Sequence, residues 1–181
     1  MPQPPLHLRS IHSEDREFLF RVYAGTRAEE LALTNWDQAQ KQAFLTQQFE
    51  AQHHHYQTHY QGAQFDLILL DDQPIGRLYV ARWREEIRIM DIALLPDYRN
   101  RGIGSGLLRD LLEEAAVTGK RLTIHVERYN PALRLYRRMG FEPVGATAVY
   151  LLLAAESAPN REVGPLRRKS PRNAPFGLLN R

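Results

Sequence analysis

Cysteine is absent from all 181 residues, which excludes disulfides, thiolate metal ligands and a cysteine nucleophile. Long apolar runs are missing as well, and no stretch approaches the ~20 residues that a membrane-spanning helix needs. The opening Met1-Pro2-Gln3-Pro4-Pro5 lacks the basic-then-apolar pattern of a secretory signal, so a cytoplasmic location without a membrane partner is expected. Clustered positive charge is scarce where a fold would form. Six of the 24 Lys and Arg and one of the 21 Asp and Glu lie from Asn160 onward, which leaves 18 basic and 20 acidic side chains before it. The formal net charge of +3 therefore belongs to the C-terminal tail. A nucleic-acid partner is not expected, because the body lacks the basic patch that phosphates require.

What is present reads as one α/β (α+β) domain of ordinary size, with 43% hydrophobic and 25% charged residues. Leu6 to Ile11 alternates as a short strand, and Ser13 to Tyr23 carries a helical stripe of Phe18, Leu19, Val22 and Tyr23. A Gln- and Ala-rich region from Trp36 to Tyr60 is helical, as one long helix or two short ones. Phe65–Leu70, Ile75–Trp83 and Ile87–Leu95 read as an antiparallel meander. Gly102 to Thr118 is the clearest helix, with Ile103, Leu107, Leu108, Leu111, Leu112 and Ala115 on one stripe and Gly119 as its stop. Leu122–Val126 follows as a strand, Pro131–Met139 as a helix, and Phe141–Leu153 as a hairpin around Gly145. This order predicts a mixed, mostly antiparallel central sheet flanked by helices, with one strand–helix–strand unit. The domain is expected over 1–155. Residues 156–181, with several prolines and no periodicity, are expected to be a basic, disordered tail.

The most informative segment is Leu95-Pro96-Asp97-Tyr98-Arg99-Asn100-Arg101-Gly102-Ile103-Gly104-Ser105-Gly106. Glycine in a helix costs roughly 1 kcal/mol against alanine, so three in five positions at a helix start imply close approach of a ligand to the backbone. The unpartnered first N–H groups and the positive end of the helix dipole suit an anion such as a pyrophosphate, and Arg99 and Arg101 add charge there. A P-loop would need a lysine that is absent here. A dinucleotide fingerprint would need glycine where Leu107 stands.

Arg99-Asn100-Arg101-Gly102-Ile103-Gly104 resembles the Arg/Gln-x-x-Gly-x-Gly/Ala signature of the GNAT superfamily of N-acetyltransferases. Two further segments fit in order. Asp91-Ile92-Ala93-Leu94-Leu95-Pro96 resembles the family's splayed fourth strand, and Asn130-Pro131-Ala132-Leu133-Arg134-Leu135-Tyr136-Arg137-Arg138-Met139-Gly140-Phe141 resembles its Asn…Leu-Tyr-x-x-x-Gly-Phe segment. The resemblance covers roughly residues 6–155 and implies acetyl-CoA (coenzyme A) as co-substrate, no metal, and an amine-bearing acceptor. By it, the amides of Asn100, Arg101, Gly102, Ile103, Gly104 and Ser105 would hold the pyrophosphate. Backbone groups of Ile92, Ala93 and Leu94 would pair with the pantetheine arm, Asn130 would contact the cofactor from the far side, and Tyr136 would be the general acid.

The chemistry also demands a base, because an amine is mostly protonated at pH 7. Many relatives carry a glutamate just before the position of Asp91, where this chain has Met90, so Asp91, Glu86, His125 or a held water remain open as the base. A small-molecule acceptor is expected ahead of a protein lysine or N-terminus, because nothing encodes a peptide groove. The alternatives are a protein acetyltransferase, an RNA-bound one, or a non-catalytic coenzyme A-binding module that acts through its tail. A homodimer is compatible with all of these. The resemblance also puts Thr26 to Gln61 beside the acceptor groove, with Trp36, Asp37, Tyr56 and Tyr60 as residues that would help choose the amine. His53, His54, His55 and His59 have no carboxylate completing a zinc motif and read as a solvated helix face.

Overall fold

The computed structural model describes residues 6–156. β1 (Leu6–Ser10), β2 (Gln64–Leu70), β3 (Gln73–Arg82) and β4 (Glu86–Leu94) lie side by side and antiparallel. β4 then pairs in parallel with β5 (Arg121–Glu127), and β5 pairs antiparallel with β7 (Tyr150–Ala155), which pairs with β6 (Glu142–Ala146). The result is one seven-stranded sheet in the order β1-β2-β3-β4-β5-β7-β6, mixed and mostly antiparallel as the pattern predicts. Parallel pairing needs a crossover, and α3 (Ile103–Thr118) supplies it. Together with α4 (Leu133–Arg138) it covers one face of the sheet, while α1 (Arg16–Ala32) and α2 (Gln38–His59) cover the other.

Local chemistry explains the boundaries. The β2–β3 turn places both Asp71 and Asp72 at positive φ, the backbone that a tight hairpin requires. α2 starts at a reciprocal cap: the Asp37 carboxylate accepts from the Gln40 N–H at 2.8 Å, and the Asp37 N–H donates to the Gln40 side chain at 2.9 Å. It is one helix. Its buried positions, Phe49, Gln52 and Tyr56, include a glutamine, which is why the apolar period looks broken. α1 runs past the Tyr23 end expected from its stripe for a similar reason, since the stripe continues through the buried Arg27 to Leu31. The last hairpin does not turn at Gly145. Gly145 lies in β6 at a register shift, and the turn forms at 147–149, where the Thr147 hydroxyl accepts from the Tyr150 N–H at 2.9 Å.

Two cores sandwich the sheet. On the α3 side, Leu107, Leu108, Leu111 and Ala115 pack on Ile87, Ile89, Leu122, Ile124 and Val126, and each fully buried aliphatic side chain contributes about 1.5–3 kcal/mol. On the other side, Leu19, Tyr23, Phe49 and Tyr56 pack on Leu67, Tyr79 and Met90.

A β-bulge sets the phase of β4. Tyr79 pairs with Asp91 but Val80 pairs with Ile89, so Met90 is an extra residue. Without it Asp91 would share the α3 face with Ile87 and Ile89. With it, Ile92 and Leu94 take that face and Asp91 turns toward α1 and α2. Gly76 allows β3 to approach the end of β4, since a Cβ there would lie 2.3 Å from the Ala93 carbonyl oxygen and 2.8 Å from Leu94 Cδ2.

Candidate active site

β4 and β5 pair only from Glu86/Arg121 to Ile89/Ile124, yet β4 continues to Leu94 and β5 to Glu127. Each arm keeps its outer partner, β3 or β7, so the sheet opens as a V between them. The Leu95 N–H donates to the Ile75 carbonyl at 2.8 Å, which sets the hydrogen-bonding parity of this antiparallel pair. Asp91 and Ala93 therefore direct their peptide groups to β3, and Ile92 and Leu94 direct theirs into the V. Ile92 and Leu94 fit the expected role of pairing with an extended ligand. Ala93, between them, has its backbone turned away.

Above the β4 arm lies the glycine turn. Asn100 and Gly102 both take left-handed backbone, with φ of 58° and 81°. The first bond of α3 runs from the Gly106 N–H to the Gly102 carbonyl at 2.9 Å, so the amides of Ile103, Gly104 and Ser105 precede the helical ladder. No side chain caps this end, and a Cβ built at Gly104 or Gly106 would meet nothing within 4 Å. Unladdered N–H groups, open space and a helix dipole make a cradle for an anion. Arg101 projects over Tyr98, its guanidinium carbon 5.4 Å from the ring centre. Arg99 is engaged otherwise, donating to the Leu94 carbonyl at 3.0 Å and to the Gly25 carbonyl of α1 at 3.0 Å. It ties the loop to α1.

The four acid–base candidates occupy different settings. Tyr136 is buried on α4 with its ring 5.7 Å from Phe141, edge to face. Burial, reinforced by the charge of Asp91, pushes its phenol well above the ordinary tyrosine value. Asp91 is buried too and accepts from Arg77 at 2.7 Å, with the Tyr56 hydroxyl 3.5 Å away. Burial pushes its carboxyl up, while Arg77 pulls it down. Glu86 stands at the closed end of the V, where Thr123 donates to it at 2.5 Å and Arg88 at 2.7 Å. Burial works to raise its pKa, but these donors hold it below the usual glutamate value. His125 is on the same face just past the last β4–β5 pair, 3.1 Å from Arg88 through Nδ1. Arginine can only donate, so Nδ1 accepts and the hydrogen of the neutral ring sits on Nε2.

Burial first, and the Arg88 charge second, lower the His125 pKa to about 4. The unfolded chain takes up that proton near pH 6.5, whereas the fold resists it until about 4. Between those values the unfolded state binds more protons, so stability falls as pH drops through this window. We expect urea unfolding midpoints to decline from pH 6.5 to 4, and His125→Asn to flatten that decline. Equal slopes in both proteins would contradict the assignment.

Asn130 caps the turn into α4, its side-chain oxygen accepting from the Ala132 N–H at 2.8 Å. Sequence reasoning did not single out Arg27 here, and it put Tyr56 only beside the acceptor groove. Tyr56 reaches across from α2 to donate to the Met90 carbonyl at the bulge, at 3.2 Å. Arg27 is buried on α1, donating to Glu30 at 3.1 Å and lying 3.8 Å from Glu127 on β5. A buried arginine inside an apolar stripe was the signal available for it. Of the histidines, His53 stacks on Phe49 and His55 on His59, and among the described residues no group of three or more His, Asp or Glu is placed to hold a metal ion. No described helix is long and apolar enough to cross a membrane.

Comparison with known proteins gives a consistent picture. A family model described as the Acetyltransferase (GNAT) family matches residues 29–141. Streptothricin acetyltransferase of Streptomyces lavendulae is 38% identical over 77 residues, 41% of this chain and 41% of that protein. The match thus spans less than half of that relative. The PaiA N-acetyltransferase of Thermoplasma acidophilum, solved in complex with coenzyme A, superposes with a TM-score of 0.63 over 84% of this chain and 99% of that one, at 16% identity. The ribosomal-protein-S18-alanine N-acetyltransferase of Escherichia coli gives 0.55 over 88% and 100%, at 18% identity. At such identities the structural likeness is one of fold.

Proposed function

The chain belongs to the GNAT family of acetyltransferases, and we propose that it moves the acetyl group of acetyl-CoA to a primary amine by direct attack, the acceptor being a small molecule. One observation carries this reading: the V between β4 and β5 and the open amide cradle at α3 share the β4 arm. The amides of Ile103 to Ser105, with the left-handed Asn100 and Gly102 shaping the loop, would hold the pyrophosphate, and Arg101 would add charge at its rim. Ile92 and Leu94 would bind the extended arm through their inward peptide groups. Arg99 would serve by bracing the loop, and Asn130 by fixing the turn that presents α4. The acetyl-CoA thioester supplies the activated carbonyl.

Tyr136 is assigned as the acid. Its raised pKa keeps the hydroxyl protonated across the working range, ready to donate as the sulfur leaves. To Asp91 we assign a supporting part, holding Arg77 under the bulge, because its buried carboxylate is already hydrogen-bonded to that guanidinium. The small-molecule preference rests on α1. It is tied to the β4 arm through Arg99–Gly25 and faces the β5 arm through Arg27–Glu127, so it would limit the room for a long peptide across the V.

The test is thiol release from acetyl-CoA with putrescine, tyramine, glucosamine and a lysine-containing peptide. Release with a small amine is expected, and release with the peptide alone would overturn the acceptor class. Tyr136→Phe is expected to lower kcat about 100-fold, with the acetyl-CoA KM nearly unchanged. An unaltered kcat at saturating acetyl-CoA would remove Tyr136 from the mechanism.

A further inference from the structure

α2 ends in a histidine-rich turn to which acetyl transfer gives no part. His55 and His59 stand four residues apart, so they lie one above the other on the same side of the helix. Their ring centres are 4.4 Å apart and the rings are inclined by only 27°. His59 is exposed and His55 half-buried, whereas Tyr56 takes the side that faces the core.

The ring nitrogens suit a metal ion. His59 Nδ1 lies 3.1 Å from the His55 backbone carbonyl, which can only accept, so the hydrogen of the neutral ring is on Nδ1. Nε2 then carries the lone pair. A bond from the other nitrogen to a backbone carbonyl is how metal-binding imidazoles have their tautomer fixed. Burial first, and then the neighbouring His59 and His54, hold the His55 pKa below the ordinary histidine value, which keeps its ring neutral near pH 7. The turn also lies at the C-terminal end of a 22-residue helix, where the dipole favours a cation. Two bonds of about 2.0–2.1 Å to a tetrahedral ion need nitrogens roughly 3.3 Å apart. Rings stacked with centres 4.4 Å apart reach that separation by rotating about χ2.

We propose that His55 and His59 chelate one divalent transition-metal ion of the imidazole-binding class, copper or zinc, through one nitrogen each, with water in the remaining positions. The site does not depend on the acetyl-transfer reading. Tyr60 and Trp83 place it beside the β3–β4 turn, at the opposite end of β4 from the glycine loop. With two histidines it falls short of the three protein ligands of a catalytic zinc centre, so it is a binding site and not a second reaction centre. Copper should bind more tightly than zinc, following the usual order of divalent ions at nitrogen ligands.

Trp83 reports on the site. The Tyr60 ring is 5.9 Å from His55 and 6.5 Å from Trp83. The other tryptophan, Trp36, precedes α2 at its far end, roughly 33 Å away along the helix. The experiment titrates CuCl2, and separately ZnCl2, into the full chain in chelator-free buffer at pH 7, reading tryptophan emission for copper and heat for both ions. Bound copper quenches indole emission at short range. Saturable quenching by one ion per chain is expected, and Trp83→Phe, which retains Trp36, should show none at the same concentrations. His55→Ala and His59→Ala should each weaken binding by more than the about 10-fold that loss of an outer-shell partner costs. Alanine is the better helix former at both positions, so lost binding is not lost helix. His54→Ala removes a histidine from another side of α2 and should bind as the parent does. If either His55→Ala or His59→Ala keeps the parent's affinity, or if His54→Ala loses as much as they do, the ion is held elsewhere and the proposal falls. A folded parent that gives no saturable signal with either ion overturns it too.

Discussion

Asp91→Ala is expected to lower the stability of the fold by about 3–5 kcal/mol, because it strands the Arg77 guanidinium in the sheet interior. Both side chains are 3% exposed and 2.7 Å apart, and Gln52 of α2 adds a second acceptor for Arg77 at 2.8 Å. Burial works against the arginine charge, and Asp91 more than offsets it, so the Arg77 pKa is raised. Removing one partner leaves a buried charge uncompensated, while removing both does not. The double variant Arg77→Met/Asp91→Leu should therefore recover most of the loss in a urea titration. A single Asp91→Ala variant as stable as the parent would show that the pair is not desolvated as described. It would also reopen Asp91 as a base.

The other large effect is expected at the glycine cradle. In Gly104→Glu the new carboxylate would meet the Ile103–Ser105 amides, occupying the positive end of the helix dipole in place of the pyrophosphate. The KM for acetyl-CoA should rise about 100-fold, the loss of one well-placed charged contact or more. Stability should move the other way. Open space surrounds this position, glutamate is a better helix former than glycine, and an acid in the first turn stabilises a helix by about 0.3–1 kcal/mol. A weaker ligand response in a protein that melts no earlier cannot be ascribed to misfolding. Gly104→Ala, which adds only a methyl, serves as the control for bulk.

Much of this architecture is legible in the residues themselves, because the information is local. The Leu107–Ala115 stripe, the Gly119 stop and the alternation of β5 each report a packing period, and the glycine turn reports a backbone that must stay bare. The acid–base site is less legible. One inserted residue at Met90 changes which face Asp91 occupies, and no pattern in Ile87–Leu94 marks the insertion, since the bulge is defined by pairing with β3. Arg27 and Glu127 lie far apart in the chain, and only the packing of α1 brings them within 3.8 Å of each other. The hydrogen on His125 depends on which side chain lies next to it in the sheet, and that is a property of β4–β5 register. The basic-tail expectation lies outside the described residues.

The central claim is that the peptide amides opening α3 form a cradle for the phosphates of acetyl-CoA. Its most direct test is calorimetric titration of the full chain with acetyl-CoA, alongside Gly104→Glu. The account predicts one saturable site per chain in the unaltered protein and a strongly weakened one in the variant. Equal heats from both proteins, or none from either when each is folded, would contradict it.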